Sequence, residues 1–228
     1  MKREIILDTE TTGLKPEQGH KVIEICGMEV INGITTGKIF HTFINPERDV
    51  PYEAFRIHGI SSEFLADKDI FSKIAPSFIE FIADATLIIH NAKFDIGFLN
   101  YELKSLSHPI ISFDNVIDTL SMARKKFPGS PASLDALCKR FKISLSKRDK
   151  HGALVDVELL YEVYKHLIDD RLLIKTDNQK KEIEIVKQIN IEKNDKPYRE
   201  ARIYSCSAEE LEAHAEFIKK IKEPIWNN

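Results

Sequence analysis

Hydrophobic residues in the first part of the chain follow the short, turn-bounded runs typical of β-strands. Such runs cover residues 4–8, 22–30 and 38–44, and Asn32-Gly33 stands between the second and the third. An Asn-Gly pair between two apolar runs favours a tight hairpin turn. The pattern therefore predicts three strands joined as an antiparallel meander.

The hydrophobic spacing then changes to the period of three to four residues that is typical of helices. Ile74, Phe78 and Phe81 recur at this spacing from residue 72 onward, and an apolar run at 86–90 predicts a buried strand. Three further helices and one short strand are predicted at 94–104, 134–141, 152–167 and 116–117. Strands that alternate with helices predict an α/β fold, a mixed sheet with helices packed on it.

The composition changes near residue 170, where polar and charged residues become dominant. Farther on, Ser207 and Glu210 have the capping-box spacing that starts a helix, and Trp226 stands close to the end. A large aromatic residue near a terminus is exposed unless it docks on a partner. We therefore divide the chain into a main domain, a linker and a partner-binding segment, at residues 1–170, 171–190 and 191–228.

The overall composition excludes several classes of protein. The chain has 228 residues, 43% of them hydrophobic and 30% charged, which suits one sizeable soluble domain. Its three cysteines form no C-x-x-C pair, so neither a disulfide framework nor a zinc site is indicated. No export signal or membrane span is predicted, which favours a cytoplasmic protein. Because the net charge is -3, contact with nucleic acid has to come from a local patch or from metal ions.

Two carboxylates, Asp8 and Glu10, stand at the end of the first apolar run. Side chains two residues apart on a strand point to the same side of the sheet, so we expect these two to lie together. Neighbouring carboxylates repel each other unless a cation lies between them, and Mg²⁺ or Mn²⁺, which prefer oxygen ligands, would remove the repulsion. By itself, however, the tripeptide fits a solvated turn better than a metal site.

Two later segments add histidine and acidic residues. His90 ends the predicted buried strand, and Asp95 lies in the first turns of the next helix, where an acidic residue also stabilises the helix dipole. His151 precedes the last helix and Asp156 lies inside it. Residues five apart on a helix differ by about 140° in direction, so His151 has to lie outside the helix to share a site with Asp156. A histidine there suits a general base, because its ordinary pKa is near neutrality.

Together these segments resemble, in order, the three motifs of the DEDDh exonuclease superfamily. The motifs are LDTETTG at 7–13, HNAKFD at 90–95 and HGALVD at 151–156. Each is weakly specific alone, but their combination is strong. From end to end the chain is similar to the epsilon subunits of bacterial DNA polymerase III, which are proofreading exonucleases, and this similarity includes IHGIS at 57–61 and SLDALC at 133–138.

The resemblance implies a ribonuclease H-like fold and hydrolysis of DNA from its 3' end. It also implies two divalent metal ions, Mg²⁺ or Mn²⁺, with His151 as general base and four carboxylates as metal ligands: Asp8, Glu10, Asp95 and Asp156. The chemistry of these residues agrees, because two metal ions can activate the attacking water and stabilise the departing 3' oxygen. The expected products are a nucleoside 5'-monophosphate and a strand one nucleotide shorter.

The resemblance further implies a set of contacts to the terminal nucleotide. Besides Asp8, Glu10 and Asp156, they are Thr11, Gly13, Leu14, His58 and Phe94. Gly13 would permit close approach of the backbone, and Leu14 and Phe94 offer apolar surface to a base. Packing in the protein core explains each of these residues about equally well.

Basic residues before His151 are a separate candidate for DNA contact. They are Lys139, Arg140, Lys142, Lys147, Arg148 and Lys150, with Arg124-Lys125-Lys126 upstream. Such runs more often form a solvated surface than a binding site. Because these residues are close to His151, we consider a solvated surface and contact with DNA phosphates equally good interpretations.

Two alternatives to a proofreading exonuclease stay open. The metal chemistry acts on RNA as well as DNA, which allows an exoribonuclease, and the chain could chiefly be a binding subunit that stabilises a polymerase. The resemblance implies two partners, a single-stranded or frayed 3' end of DNA and the catalytic alpha subunit of DNA polymerase III, the latter bound through 191–228. It leaves a small accessory subunit open as a third partner.

Overall fold

The computed structural model of the protein describes residues 2–146, 151–168 and 207–219. These residues fall into two units, of which the larger comprises the first two ranges and the smaller comprises 207–219. The described residues include no helix that is long and apolar enough to span a membrane. The predicted boundaries at 170 and 190, and Trp226, lie outside the described residues.

Five strands of the larger unit form one mixed sheet. They are β1 (Arg3–Thr11), β2 (Val22–Ile31), β3 (Ile34–Phe43), β4 (Thr86–Ile89) and β5 (Val116–Asp118). The strand order is β3-β2-β1-β4-β5, in which the first three pair antiparallel, β4 pairs parallel to β1, and β5 pairs parallel to β4. Asn32 and Gly33 both have positive φ in the turn between β2 and β3. The predicted meander and the α/β class are therefore confirmed.

Seven helices of the larger unit pack against the sheet or connect its strands. They are α1 (Tyr52–His58), α2 (Ser62–Leu65), α3 (Phe71–Ile82), α4 (Ala92–Ser105), α5 (Thr119–Lys126), α6 (Leu134–Phe141) and α7 (Ala153–Ile168). The hydrophobic spacing predicted α3, α4, α6 and α7, but it did not predict the short helices α1, α2 and α5. The helices α1 and α2, of seven and four residues, contain too few turns to show a clear period, and α5 has only three apolar residues among its eight.

Alternate residues of the central strand β1 point into two separate cores. Ile5 and Leu7 pack in the core formed with α3 and α4, whereas Ile6 packs in the core formed with α6 and α7. The sheet is therefore the middle of three layers. β1 also extends to Thr11, beyond its predicted end, because Thr9 and Glu10 continue the pairing with β2. This extension places the predicted carboxylates within the strand rather than in a turn.

Two cysteines lie in the described residues, and both are buried. Burial, with a smaller effect of the nearby carboxylates of Glu24 and Asp8, raises the pKa of the Cys26 thiol to about 12. Cys26 is therefore an unreactive, protonated thiol, and Cys138 packs in the core of α6 and α7. Cys206 lies outside the described residues.

The smaller unit is helix α8 (Ala208–Ile218). The Ser207 side chain accepts a hydrogen bond from the backbone N–H of Glu210 (3.2 Å), and the Glu210 carboxylate accepts one from the backbone N–H of Ser207 (2.8 Å). The predicted capping box is confirmed. Leu211 and Phe217 of this helix are 59% and 62% exposed. The helix thus presents large apolar side chains on its surface.

Replacement of the fully buried Phe78 by alanine should lower the free energy of unfolding by about 3–5 kcal/mol, because it removes a ring and leaves a cavity in the core. The matched control is Phe113→Ala, since the Phe113 side chain is 56% exposed. Urea denaturation followed by circular dichroism measures both values. An equal loss in the two variants would contradict the assignment of the core.

Candidate active site

The structure brings the five predicted catalytic residues to one cavity. Asp8, Glu10, Asp95, His151 and Asp156 all line a space of about 480 Å³. Asp8 and Glu10 reach it from the central strand β1, on the face that packs against α7. This shared face agrees with the prediction that residues two apart on a strand point the same way.

Asp95 reaches the cavity from α4 and is held by β1. The parallel pairing of β1 with β4 ends at Ile6 and Ile88, so the edge of β1 beyond this point is open to other partners. The Asp95 carboxylate accepts two hydrogen bonds there, from the Thr9 backbone N–H (3.1 Å) and from the Thr9 hydroxyl (2.7 Å). These bonds fix Asp95 beside the strand that carries Asp8 and Glu10.

Asp118 holds the start of α4. Asn91 precedes this helix in the left-handed region, with φ of 66°, and its side chain does not cap the helix. One Asp118 carboxylate oxygen instead accepts from the backbone N–H groups of Asn91 (3.0 Å) and Ala92 (3.4 Å), and also from that of Leu120 in α5 (3.0 Å). The positive N-terminal ends of two helix dipoles favour this placement. Asp118 was not predicted as a functional residue, although it helps to position Asp95.

His151 and Asp156 come from the start of α7. The helix begins at Ala153, so His151 lies just outside it, as the five-residue spacing predicts. The His151 Nδ1 atom is 3.4 Å from an Asp156 carboxylate oxygen, and the His151 side chain is 49% exposed. The His151 backbone N–H donates to the Ile57 carbonyl (3.2 Å). The histidine is therefore fixed by its backbone, while its ring keeps access to solvent.

Part of this cluster already has the spacing of a metal site. One potential ligand atom from each of Glu10, His151 and Asp156 lies within 4.8 Å of the other two. Asp8 and Asp95 line the same cavity outside this group of three. The carboxylate oxygens of Glu10 and Asp156 suit a hard divalent cation such as Mg²⁺ or Mn²⁺.

The charges of the cavity oppose one another in the absence of a cation. The pKa of Asp8 lies well above its ordinary value, first because of burial and then because of the negative charges of Asp95, Glu10 and Asp156. Burial also raises the pKa of Asp95 to about 7, although the hydrogen bonds from Thr9 act in the opposite direction. At neutral pH these groups therefore destabilise the fold, and a bound divalent cation would offset that cost.

His90 lines the same cavity at the end of β4, and its ring is held by a hydrogen bond to a neighbouring side chain. Its Nδ1 atom is 3.0 Å from the Thr119 hydroxyl, and burial lowers the pKa of the imidazole. The Thr119 hydroxyl in turn donates to the Ile89 carbonyl. We therefore treat His90 as part of the wall of the cavity.

A second cavity of about 460 Å³ adjoins the first, because Glu10 and Phe94 line both. It is lined by all five of the additional residues predicted to contact the terminal nucleotide: Thr11, Gly13, Leu14, His58 and Phe94. Leu14 is 78% exposed, so core packing does not explain it. His58 is buried, and its Nδ1 atom accepts from the Ile60 backbone N–H (3.0 Å).

The second cavity also gives a reason for Gly13 that the sequence did not. A Cβ atom at Gly13 would lie 2.3 Å from the nearest atom of the His20 ring, so only glycine fits while His20 holds this position. The His20 Nδ1 atom is 3.2 Å from the Thr12 hydroxyl. His20 lines the cavity, and sequence reasoning missed it because it lies in an unremarkable polar stretch.

The predicted basic patch is only partly described by the structure. Arg124 of α5 lines the catalytic cavity. Lys147, Arg148 and Lys150 lie outside the described residues. Contact between these three residues and DNA phosphates therefore stays a prediction.

Comparison with known proteins agrees with the arrangement of the site. The exonuclease family RNase_T matches residues 5–164. DNA polymerase III subunit epsilon of Rickettsia typhi is 54% identical over 225 residues, which cover 96% of either protein. The protein of the same name from Buchnera aphidicola subsp. Baizongia pistaciae is 41% identical over 237 residues, covering 99% of this chain and 94% of that protein.

Solved structures show the same fold. Exonuclease X in complex with 5' overhanging duplex DNA matches with a TM-score of 0.58 and 25% identity, covering 73% of this chain and 91% of that one. A DEDDh nuclease domain bound to rAMP matches with a TM-score of 0.63 and 17% identity, covering 74% and 92%. The second similarity supports the fold alone.

The chain therefore belongs to the RNase_T exonuclease family, and its fold is the ribonuclease H-like fold that the sequence predicted. Within this family it belongs with the DNA polymerase III epsilon subunits. The prediction of a 3'–5' DNA exonuclease is confirmed by this membership.

Asp8→Asn should raise the thermal midpoint of the metal-free protein at pH 8. A carboxyl group with a raised pKa in the folded state contributes stability below its ordinary pKa and loses it as the pH rises through the folded value. The amide carries no charge to be repelled, so we expect a gain of several degrees, since 1 kcal/mol corresponds to about 2–4 °C in a domain of this size. Thermal unfolding in a chelating buffer measures the difference.

The same comparison at pH 5 should show a smaller gain, because the raised pKa of Asp8 makes its carboxyl group more protonated at the lower pH. Asp84→Asn is the control, since Asp84 is exposed and lines neither of the two cavities. A lower midpoint for Asp8→Asn at pH 8 would contradict the account of charge repulsion in the cavity.

Proposed function

We propose that the chain proofreads replicative DNA synthesis and that Asp8, Glu10, Asp95 and Asp156 bind two divalent metal ions, with His151 as the general base. The observation that carries this proposal is the convergence of these five residues on one cavity beside a second cavity of nucleotide size. Four carboxylates in one cavity are costly to a fold unless cations join them. Their presence also argues against a subunit that only binds.

His151 is suited to take the proton of the attacking water. It stands at the rim of the cavity beside Asp156, and its half-exposed ring can release the proton to solvent. The 3.4 Å contact with Asp156 would orient the imidazole toward the water. The metal ions, Mg²⁺ or Mn²⁺, would supply activation of that water and neutralise charge on the phosphate and the departing 3' oxygen.

The second cavity would hold the terminal nucleotide. Its volume lies within the range of about 300–1,000 Å³ that is common for small-ligand sites. Leu14 and Phe94 would contact the base through apolar surface, and His58 lines the same cavity. Such contacts are tolerant of sequence, so preference for a mispaired end would come from the easier fraying of that end.

The segment 191–228 would bind the alpha subunit of DNA polymerase III and place the exonuclease domain, 1–170, in the cytoplasmic replisome. Leu211 and Phe217 of α8 provide exposed apolar side chains for such an interface. Similar proteins are named as subunits of this polymerase, and the similarity to the Rickettsia protein covers almost the whole chain. A small accessory subunit would be a further partner of the catalytic domain.

In the presence of Mg²⁺, the wild-type protein should digest a 3'-mispaired DNA primer faster than a paired one, and Asp8→Ala should reduce the rate by at least about 10³-fold. The reason is that the variant lacks a ligand on which transition-state stabilisation depends. Gel analysis of labelled primers measures the rates, and Asp84→Asn serves as the control. Equal rates for wild type and Asp8→Ala would refute the proposal, and faster digestion of a matched RNA would favour an exoribonuclease.

Removal of residues 171–228 should abolish binding to the polymerase alpha subunit while leaving digestion of single-stranded DNA within about 3-fold, because all catalytic groups lie before residue 170. In the full chain, Leu211→Glu with Phe217→Glu should weaken binding, whereas Glu212→Gln on the same helix should not. Surface plasmon resonance with immobilised alpha subunit measures the affinities. Full binding by the truncated protein would show that the domain assignment is wrong.

A further inference from the structure

Glu24 is a buried carboxylate in β2 that the mechanism above does not use. It interrupts the apolar run Val22-Ile23-Glu24-Ile25-Cys26 and is only 3% exposed. It stands opposite Glu10 in the pairing of β1 with β2. A buried charge is costly unless hydrogen bonds and compensating charges hold it, so its partners indicate what it does.

Both carboxylate oxygens of Glu24 have a partner. One accepts a hydrogen bond from the backbone N–H of Ala153 (3.1 Å), and the other lies 2.7 Å from the His41 Nε2 atom. Ala153 is the first residue of α7 and is fully buried. The N–H groups at a helix start lack partners within the helix, and the helix dipole is positive there. Glu24 therefore ties the sheet to the N-terminus of α7.

This bond is made where α7 enters the active site. Ala153 lies two residues after His151 and three residues before Asp156 in the sequence. A shift of the helix start would move His151 and Asp156 together, relative to Glu10 on β1. His151 also bonds to Ile57 and contacts Asp156, and the hydrogen bond from Ala153 to Glu24 connects this segment to the sheet.

The other end of α7 is held in a similar way, away from the active site. The Tyr164 hydroxyl donates to a carboxylate oxygen of Glu4 (2.9 Å), and both residues are buried. Glu4 and Glu24 are thus two buried carboxylates on neighbouring strands that bind the same helix. They differ in their distance from the catalytic groups, which makes Glu4 a matched control.

We propose that Glu24 is a positioning residue for the exonuclease reaction: it fixes the start of α7 and so sets the positions of His151 and Asp156 relative to Glu10. This inference rests on the roles proposed above for His151 and Asp156. Displacement of a catalytic group by about 1 Å can reduce a rate about 10²-fold without removing any catalytic residue. The predicted contacts to the base lie in the other cavity, at Leu14 and Phe94, so loss of Glu24 should affect kcat more than KM.

The test compares Glu24→Leu with Glu4→Leu, which remove the two anchors of α7 with similar loss of volume. At equal folded fraction, Glu24→Leu should lower kcat on a single-stranded oligonucleotide by about 10–100-fold with KM within about 3-fold. Calorimetry without DNA should show Mn²⁺ affinity weakened about 10-fold, and hydrogen exchange of the Ala153 amide should accelerate. Glu4→Leu should destabilise the protein but leave kcat and Mn²⁺ affinity within about 2-fold.

Two conservative variants complete the design. Glu24→Gln retains an acceptor for the Ala153 N–H and should restore kcat to within about 3-fold of wild type. Glu24→Asp keeps the charge but shortens the side chain by one methylene, so it should lose kcat even if Glu24→Leu does not fold. Wild-type kcat and Mn²⁺ affinity in Glu24→Asp, or equal effects of Glu24→Leu and Glu4→Leu, would overturn the inference.

Asp156→Asn separates this inference from the proposed function. It should lose both Mn²⁺ binding and hydrolysis. If it does, normal kcat in the Glu24 variants overturns only the role of Glu24. If Asp156→Asn keeps both properties, the assignment of the metal ligands is wrong and the role of Glu24 fails with it.

Discussion

The carboxylates around Asp8 repel one another, and the rest of the structure has to hold them together. Burial and the charges of four neighbouring acids raise the pKa of Asp8 well above its usual range, so the fold bears an electrostatic cost at neutral pH. Such a cluster persists only if the surrounding structure forces the groups together. The central strand β1 holds Asp8 and Glu10 in place, because it is paired on both sides and packed on both faces.

The other two acids are brought to β1 by helices whose starts are themselves held by carboxylates. Asp118 holds the start of α4, which carries Asp95, and Glu24 holds the start of α7, which carries Asp156. Each of these anchors is stabilised by backbone N–H groups and a helix dipole. The acids of the site therefore form two sets. The inner set lines the cavity and is available to cations, whereas the outer set, Asp118 and Glu24, accepts hydrogen bonds from backbone N–H groups. This division explains how so many acidic groups fit one end of the sheet.

The sequence predicted the parts of this site that depend on local geometry. Strand alternation placed Asp8 and Glu10 together, and the helical period placed His151 outside α7. The Thr9–Asp95 and Glu24–Ala153 bonds join residues 86 and 129 positions apart, so no local pattern could indicate them. The charged Glu24 within an apolar run was the one available signal. The packing of His20 against Gly13 likewise depends on a close approach that only the folded chain shows.

A crystal structure with Mn²⁺ and thymidine 5'-monophosphate tests the central claim most directly, because Mn²⁺ can be located by its anomalous scattering. The account predicts two ions in the cavity lined by Asp8, Glu10, Asp95 and Asp156, about 3.5–4 Å apart, with the phosphate between them and the base beside Leu14 and Phe94. An empty cavity in a crystal that holds both ligands elsewhere, or ions bound without Asp8, would contradict it.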